Sequence, residues 1–343
     1  MLSLCIATQV SYTQELETIL LAADDASKLM QGYINPATKG LMYSMNGGWF
    51  TTAKTHKKLG FDISISANAS FVPSADELFD FIPSDYEFLT LQGGESVIPT
   101  IMGKSGDGTM VDVRVPIEGS SDFKVASFEM PGGITGDLPL NAVPSPMVQL
   151  GVGLPLKTDL KVRYVPKVNF GDNVEANLVG FGLQHDIMQY LGPLDRLPLN
   201  VSILAAFTKM DVSYNIDDQS VMDDVSVTDG AVKFEMNTWT VQAIGSLDFV
   251  LVSLYGSVGY NGGKSSLKMK GDYNLNYSVE DGSGNNVGSI NETISDPVNL
   301  NFEANGVRAT LGARLNLAFF KIFIDYTIQE YNTATAGIAF SFR

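Results

Sequence analysis

The last stretch of the chain, Tyr331 to Arg343, reads YNTATAGIAFSFR. Read at a period of two, Ala334, Ala336, Ile338, Phe340 and Phe342 fall on one face, and Thr335, Gly337, Ala339, Ser341 and Arg343 on the other. Successive side chains of a strand point to opposite faces, so this segment is written for two different solvents. Phe61 to Phe71 has the same form: Phe61, Ile63, Ile65, Ala67, Ala69 and Phe71 alternate with Asp62, Ser64, Ser66, Asn68 and Ser70. A half-buried strand of a soluble sheet gives the same pattern. Repetition along the chain is what discriminates.

Composition asks for a membrane. Of 343 residues, 45% are apolar and only 17% charged, against about 25% charged in ordinary soluble proteins. Membrane helices would need about 20 consecutive apolar residues. The richest run, Leu315 to Ile324 (LNLAFFKIFI), is short and interrupted by Asn316 and Lys321. The hydrophobicity is therefore spread in alternation, and the other structure that satisfies every backbone hydrogen bond in lipid is a closed barrel. Further strand candidates are Met110 to Pro116, Phe123 to Met130, Met147 to Leu154, Leu160 to Pro166, Ala176 to Gln184, Val201 to Tyr214 and Val232 to Leu247. Val250 to Tyr260, Leu267 to Tyr277, Gly306 to Ala318 and Lys321 to Gln329 precede the closing strand. Short turns at Pro155-Leu156-Lys157 and Phe319-Phe320 alternate with long loops at Asn215 to Gly230 and Ser278 to Asn301. That asymmetry fits periplasmic turns and extracellular loops. With both termini on the periplasmic side the strand number is even. The expected fold is all-β, a transmembrane antiparallel β-barrel of about 14 strands, within a range of roughly 12 to 16. Val307, Ala309, Leu311, Ala313, Leu315 and Leu317 should face lipid; Arg308, Thr310, Gly312, Arg314 and Asn316 should face the lumen. Met130 to Pro146 carries Pro131, Pro139, Pro144 and Pro146. Proline lacks the ladder donor, so this stretch is either an external loop or a break in the wall.

Ahead of the barrel the period changes. In Gln14 to Gly32, Leu16, Ile19, Leu20, Ala23, Ala26, Leu29 and Met30 recur at helical spacing. The pattern predicts an amphipathic helix that stops at Gly32, with Pro36 biasing Asn35 out of the helical region. Asn46-Gly47-Gly48-Trp49-Phe50 reads as a glycine-rich turn. Such a segment would lie in the periplasm or fold into the lumen. Leu2 to Val10 resembles the end of a secretion signal, with processing expected near Thr13 and Gln14. The expected division is residues 1–13 as a signal remnant, 14–58 as helix and hatch, and 59–343 as barrel.

Two resemblances follow from these residues. The glycine of the closing strand, followed by aromatics and ending the protein, resembles the C-terminal assembly signal of bacterial outer-membrane β-barrels. Ala23-Asp24-Asp25-Ala26, followed by Asn35-Pro36-Ala37, resembles the N-terminal hatch of FadL-type transporters, with a longer spacing between the two parts. The resemblance implies a bacterial outer-membrane protein surrounded by lipid and lipopolysaccharide. It also implies passive transport of a hydrophobic small molecule, with Asn35, Pro36 and Ala37 in the moving plug. A second reading is a non-transporting barrel that scaffolds protein partners in secretion or barrel-assembly machinery.

Charge and chemistry narrow the classes. The net charge of −16 argues against a nucleic-acid partner, which needs a basic footprint. Acid clusters, Asp217, Asp218, Asp223, Asp224 and Asp229, then Glu280, Asp281, Glu292 and Asp296, sit in loop-like stretches and read as solvated surface. The lone Cys5 cannot make an internal disulfide, and His56 and His185 stand far apart without a neighbouring cysteine, so no Cys/His metal site is expected. His185 beside Asp186 has no Gly-x-Ser-x-Gly motif to serve. No enzyme and no cofactor are expected. Charges on lumen faces are Asp62, Asp159, Lys161, Arg163, Arg308, Arg314 and Asp325. Such charges commonly pair and fill a barrel interior. As a functional alternative, the lumen charge candidates are Arg163, Arg308, Arg314 and Asp62, with some of the arginines orienting a ligand's anionic head group, since arginine's fork suits a carboxylate.

Overall fold

The computed structural model describes residues 22–94, 96–106, 108–117, 121–138, 140–170, 173–190, 198–216, 220–222, 225–280 and 286–342. The expected signal remnant, the residues of the expected helix before 22, and Asp217, Asp218, Asp223, Asp224 and Asp281 lie outside the described residues. Ten antiparallel strands form a closed ring: β1 (Phe61–Phe71), β2 (Ala142–Leu154), β3 (Thr158–Phe170), β4 (Val174–Asp186), β5 (Leu199–Asn215), β6 (Val225–Asp248), β7 (Val252–Glu280), β8 (Val298–Leu317), β9 (Phe320–Ile328) and β10 (Thr333–Phe342). Neighbours in sequence pair throughout, β10 closes on β1 through Phe61↔Phe342, and β1 meets β2 through Phe61↔Val152.

The ring has ten strands, where the alternation predicted about 14, and length explains the difference. Val250 to Tyr260 and Leu267 to Tyr277 are one strand, β7, of 29 residues that continues far past the lipid. Met110 to Pro116 and Phe123 to Met130 are strands, but they belong to an insertion between β1 and β2, and among the described residues they pair with the ring at Val279↔Lys124 and Glu280↔Phe123. Asn286–Ser295 pairs as a hairpin on the outer half of β7.

Strand β8 shows the change of solvent within one element. Its even-numbered residues face inward throughout. From Val298 to Ala304 the inward side chains are Val298, Leu300, Phe302 and Ala304, all buried, while Asn299, Asn301, Glu303 and Asn305 are exposed. Beyond Gly306 the chemistry inverts: Arg308 and Thr310 are buried, and Val307 and Leu311 are 75% and 74% exposed. The same inversion occurs at Phe207/Lys209 on β5 and at Trp239/Asn237 on β6. Exposed apolar and buried polar side chains on one wall describe a belt in lipid, and the outer halves describe a water-facing extension with an apolar core.

Among the described residues the segment before the barrel forms helix α1 (Ala23–Met45), which runs well past the stop that the sequence pattern predicts. Gly32 does not stop it, and Asn35, Pro36 and Ala37 lie inside it instead of in a turn. Proline in a helix interior costs about 3 kcal/mol. Burial of Leu29, Met42, Tyr43 and Met45 against the barrel and the insertion supplies the compensating stability. Gly32 serves a close approach: a Cβ there would stand 2.9 Å from the ring of Phe79. No described helix is long and apolar enough to cross a membrane.

The proline-rich stretch resolves into both alternatives. Its first part lies outside the ring, whereas Pro144 and Pro146 enter β2 opposite Ala69 and Ala67 of β1. On its other edge β2 pairs with β3 only from Gln149↔Arg163 to Leu154↔Thr158. The prolines thus sit on a strand whose second edge is free, as their missing donors require.

The lipid belt makes a specific prediction. Leu311→Arg should lower the unfolding free energy in vesicles by about 2–4 kcal/mol, while Asn301→Arg on the same face of β8 should cost about 0–1. Urea titration of the refolded protein reads the difference, and equal costs would contradict a belt that ends near Gly306.

Candidate functional site

A ten-stranded barrel lined with Ser, Thr, Asn and Gln must fill its interior, and here the chain fills it with its own N-terminal segment. Helix α1 ends at Met45, and residues 46–60 run on without regular structure to β1. Ordinary helix ends carry four carbonyls without intrahelical partners and the negative end of the helix dipole. The last turn of α1 contains no basic residue. Two arginines of the wall take that place. Arg163 on β3 donates Nη1 to the Met45 carbonyl at 2.8 Å and Nη2 to the Gly47 carbonyl at 2.7 Å, and Arg308 on β8 donates Nη1 to the Asn46 carbonyl at 2.8 Å.

Both arginines are buried, Arg163 fully. Arg163 also donates Nε to Gln149 Oε1 and stacks its guanidinium 3.7 Å above the ring of Trp49. Trp49 lies flat on β4, where Gly182 makes room: a Cβ there would meet the indole at 2.9 Å. A cation over a tryptophan face is favourable, more so away from water. Arg314 holds Thr51 Oγ1 at 3.1 Å. Thr52 donates to the Asp248 carboxylate at 3.0 Å, and its carbonyl accepts from Gln184 Nε2. Lower still, Asp159 accepts from the His56 amide at 2.9 Å and stands 2.9 Å from its Nδ1, with Asp62 3.8 Å from Nε2.

All four predicted charge candidates therefore surround one object. Arg163, Arg308 and Arg314 contact the plug backbone or its hydroxyls, and Asp62 approaches His56. Sequence reading placed these charges in the lumen but had no signal for their partner, since backbone carbonyls carry no sequence mark. Asn35, Pro36 and Ala37 lie higher, with Pro36 buried and Ala37 against the apolar interior. His185 and Asp186 point to opposite faces of β4: His185 meets Thr158 Oγ1 at 2.7 Å and Tyr190, and Asp186 caps the Met188 amide at 2.8 Å.

At the outer end the β9–β10 turn holds the helix. Lys39 pairs with Glu330 at 2.9 Å, Tyr43 donates to the same carboxylate at 2.5 Å, and Tyr43 stacks on Tyr331, which donates to Asp76 of the insertion. Burial alone would raise the Glu330 carboxyl, but the hydrogen bonds from Tyr43 and Lys39 and the lysine's charge outweigh it and hold it below the usual range.

The class of protein is now defined: an outer-membrane β-barrel of ten strands in the bacterial envelope, with an apolar belt and a lumen occupied by its own N-terminal segment. The chain belongs to the family of unknown function DUF6588, whose model matches residues 1–342. None of the curated proteins matches it. Solved structures similar to it include Ail, the attachment invasion locus protein of Yersinia pestis (9% identity, 83% of this chain and 100% of that chain, TM-score 0.26). The translocator domain of the autotransporter NalP from Neisseria meningitidis is similar at 10% identity, with 98% of this chain and 100% of that chain covered and a TM-score of 0.24. A BenF-like porin from Pseudomonas fluorescens is similar at 9% identity, with 83% and 98% covered and a TM-score of 0.14.

Two outcomes are expected. Arg163→Ala leaves the helix-end carbonyls unmet and should cost about 2–4 kcal/mol, given about 1.5–3 kcal/mol for a hydrogen bond to a charged group. In a Trp239→Phe background, Trp49 emission should then shift to the red, and an unmoved spectrum would contradict the clamp. A depressed carboxyl stabilises the fold above its unfolded value of about 4.3 and loses that contribution as pH falls through the lower folded value. The stability gap between wild type and Glu330→Gln should accordingly be full at neutral pH and close on acidification below about pH 4. A gap independent of pH would show that Glu330 does not act as a carboxylate.

Proposed function

We propose that the barrel passes hydrophobic small molecules between the cell exterior and the outer-membrane bilayer, as the FadL-type transporters that its N-terminal segment resembles do. The observation that carries this reading is the free edge between β2 and β3 beside an apolar, methionine-rich interior. Above the arginine clamp Met147, Met236 and Met269 of the barrel wall pack with Met42 and Met45 of α1 and with Leu178, Leu300 and Phe302 in one buried cluster. Methionine adapts its shape to varied apolar partners. Met147 stands on β2 where pairing with β3 has stopped, and Val165, paired with Leu178 of β4, stands on the other bank.

Below this cluster the lumen is polar and filled by the plug, so apolar cargo has a poor axial route and a favourable lateral one. The free edge begins at Tyr164, an exposed aromatic at the height where the outward residues of β4 change from Val179 to Asn177. Exit there delivers cargo to the head-group region of the outer leaflet. In this reading Asn35, Pro36 and Ala37 shift with α1, and the arginines hold the plug and not a ligand head group. A scaffold for protein partners is the second reading, supported by Leu78, Ile82 and Leu140, which the insertion leaves exposed; a stoichiometric complex purified in gentle detergent would favour it.

Proteoliposomes test the transport reading. Entry of an apolar fluorescent probe into the bilayer should be faster than into empty vesicles, and cross-linking Pro146→Cys to Pro166→Cys should abolish the gain. Equal rates with and without protein would contradict it. Removing residues 22–56 should add ionic conductance in planar bilayers, and unchanged conductance would count against a plug.

A further inference from the structure

We infer that α1 and the segment after it thread the barrel from its outer end to its periplasmic end, so that the start of α1 lies at the cell surface. The contacts descend in sequence order. Asp25 accepts the amides of Glu87 and Phe88 in the insertion, both at 2.7 Å. Gln31 donates to the Asn301 carbonyl on the outer half of β8. Lys39 and Tyr43 reach Glu330 in the β9–β10 turn. Residues 45–47 meet Arg163 and Arg308 inside the belt, His56 meets Asp159 one residue from the β2–β3 turn side, and the Leu59 amide donates to the Gly153 carbonyl at that end. No contact in this series reverses the order. A 23-residue helix is about 34 Å long, enough to reach from the insertion to the clamp.

The ends of the barrel are distinguished by its connections. One end carries the connections at 155–157, 187–198, 249–251 and 318–319 and the close of β10; the other carries the insertion at 72–141, the hairpin strand Asn286–Ser295 and the connections at 171–173, 216–224 and 329–332. The longest connections mark the extracellular end of such barrels. The start of α1 lies at the end with the longest connections and Phe342 at the opposite end. The even strand number follows because β1 starts, and β10 ends, at the periplasmic end.

Single cysteines read the topology in living cells. In a Cys5→Ser background, Lys28→Cys and Asp24→Cys report the start of α1, both at exposed positions, and Lys58→Cys reports the segment before β1. Val287→Cys and Leu156→Cys are references for the outer hairpin and a periplasmic turn. A bulky, membrane-impermeant maleimide should label positions 24, 28 and 287 in intact cells to the extent seen after lysis, and positions 58 and 156 only after lysis. Correct references with positions 24 and 28 silent until lysis would overturn the threading while leaving the barrel's orientation intact. Reversed references would overturn the sidedness, and labelling of 58 in intact cells would overturn the seal. None of these readings depends on whether the barrel transports anything.

Discussion

Backbone hydrogen bonding in lipid is the constraint on which the structure depends. A strand edge left open in hydrocarbon exposes N–H and C=O groups at a cost of several kcal/mol each, so the sheet must close on itself. Closure through Phe61↔Phe342 turns ten strands into a ring whose outward face is apolar and whose inward face is polar. That inward face then needs something polar to bond with. The plug meets the need with backbone carbonyls and hydroxyls in a segment that has no regular structure of its own. The one place where β2 leaves an edge unpaired sits at the rim of the belt and is occupied by prolines, which have no donor to leave unmet.

The two arginines act through the same economy. A buried guanidinium without partners is expensive, and so is a helix end without a cap. Placed together they satisfy each other: Arg163 and Arg308 acquire carbonyl acceptors at the negative end of the α1 dipole, and Met45, Asn46 and Gly47 acquire donors. Trp49 completes the arrangement by covering the guanidinium of Arg163. Neither arginine is free to meet a ligand while the plug is seated. In the proposed transport reading, recognition of cargo therefore falls to the apolar residues above them, and the charges that look most like a head-group site in the sequence hold the protein to itself.

Much of the fold was legible because lipid imposes a period of two that few other environments repeat so often. The face assignments of β1, β8 and β10 follow directly from it. The strand number was not, since alternation marks a strand but not its solvent: β7 leaves the membrane near Tyr260 and continues as a water-facing strand with its pattern inverted, which the sequence reads as a second crossing. Gly32 and Pro36 misled for a related reason. They are breakers in an isolated helix, but α1 is held from both sides by the insertion and the barrel, and tertiary burial overrides local preference. Of the site, the charged residues were visible and their partner was not.

The plug within the lumen is the central claim, and hydrogen–deuterium exchange of the intact protein in lipid tests it most directly. Residues 46–56 form neither helix nor strand, so any protection of their amides must come from the barrel around them. The account predicts amides such as Ala53 and His56, which donate to Ser246 and Asp159, exchanging as slowly as those of β1 and β10. Exchange at the rate of an exposed loop across 46–56 would contradict it.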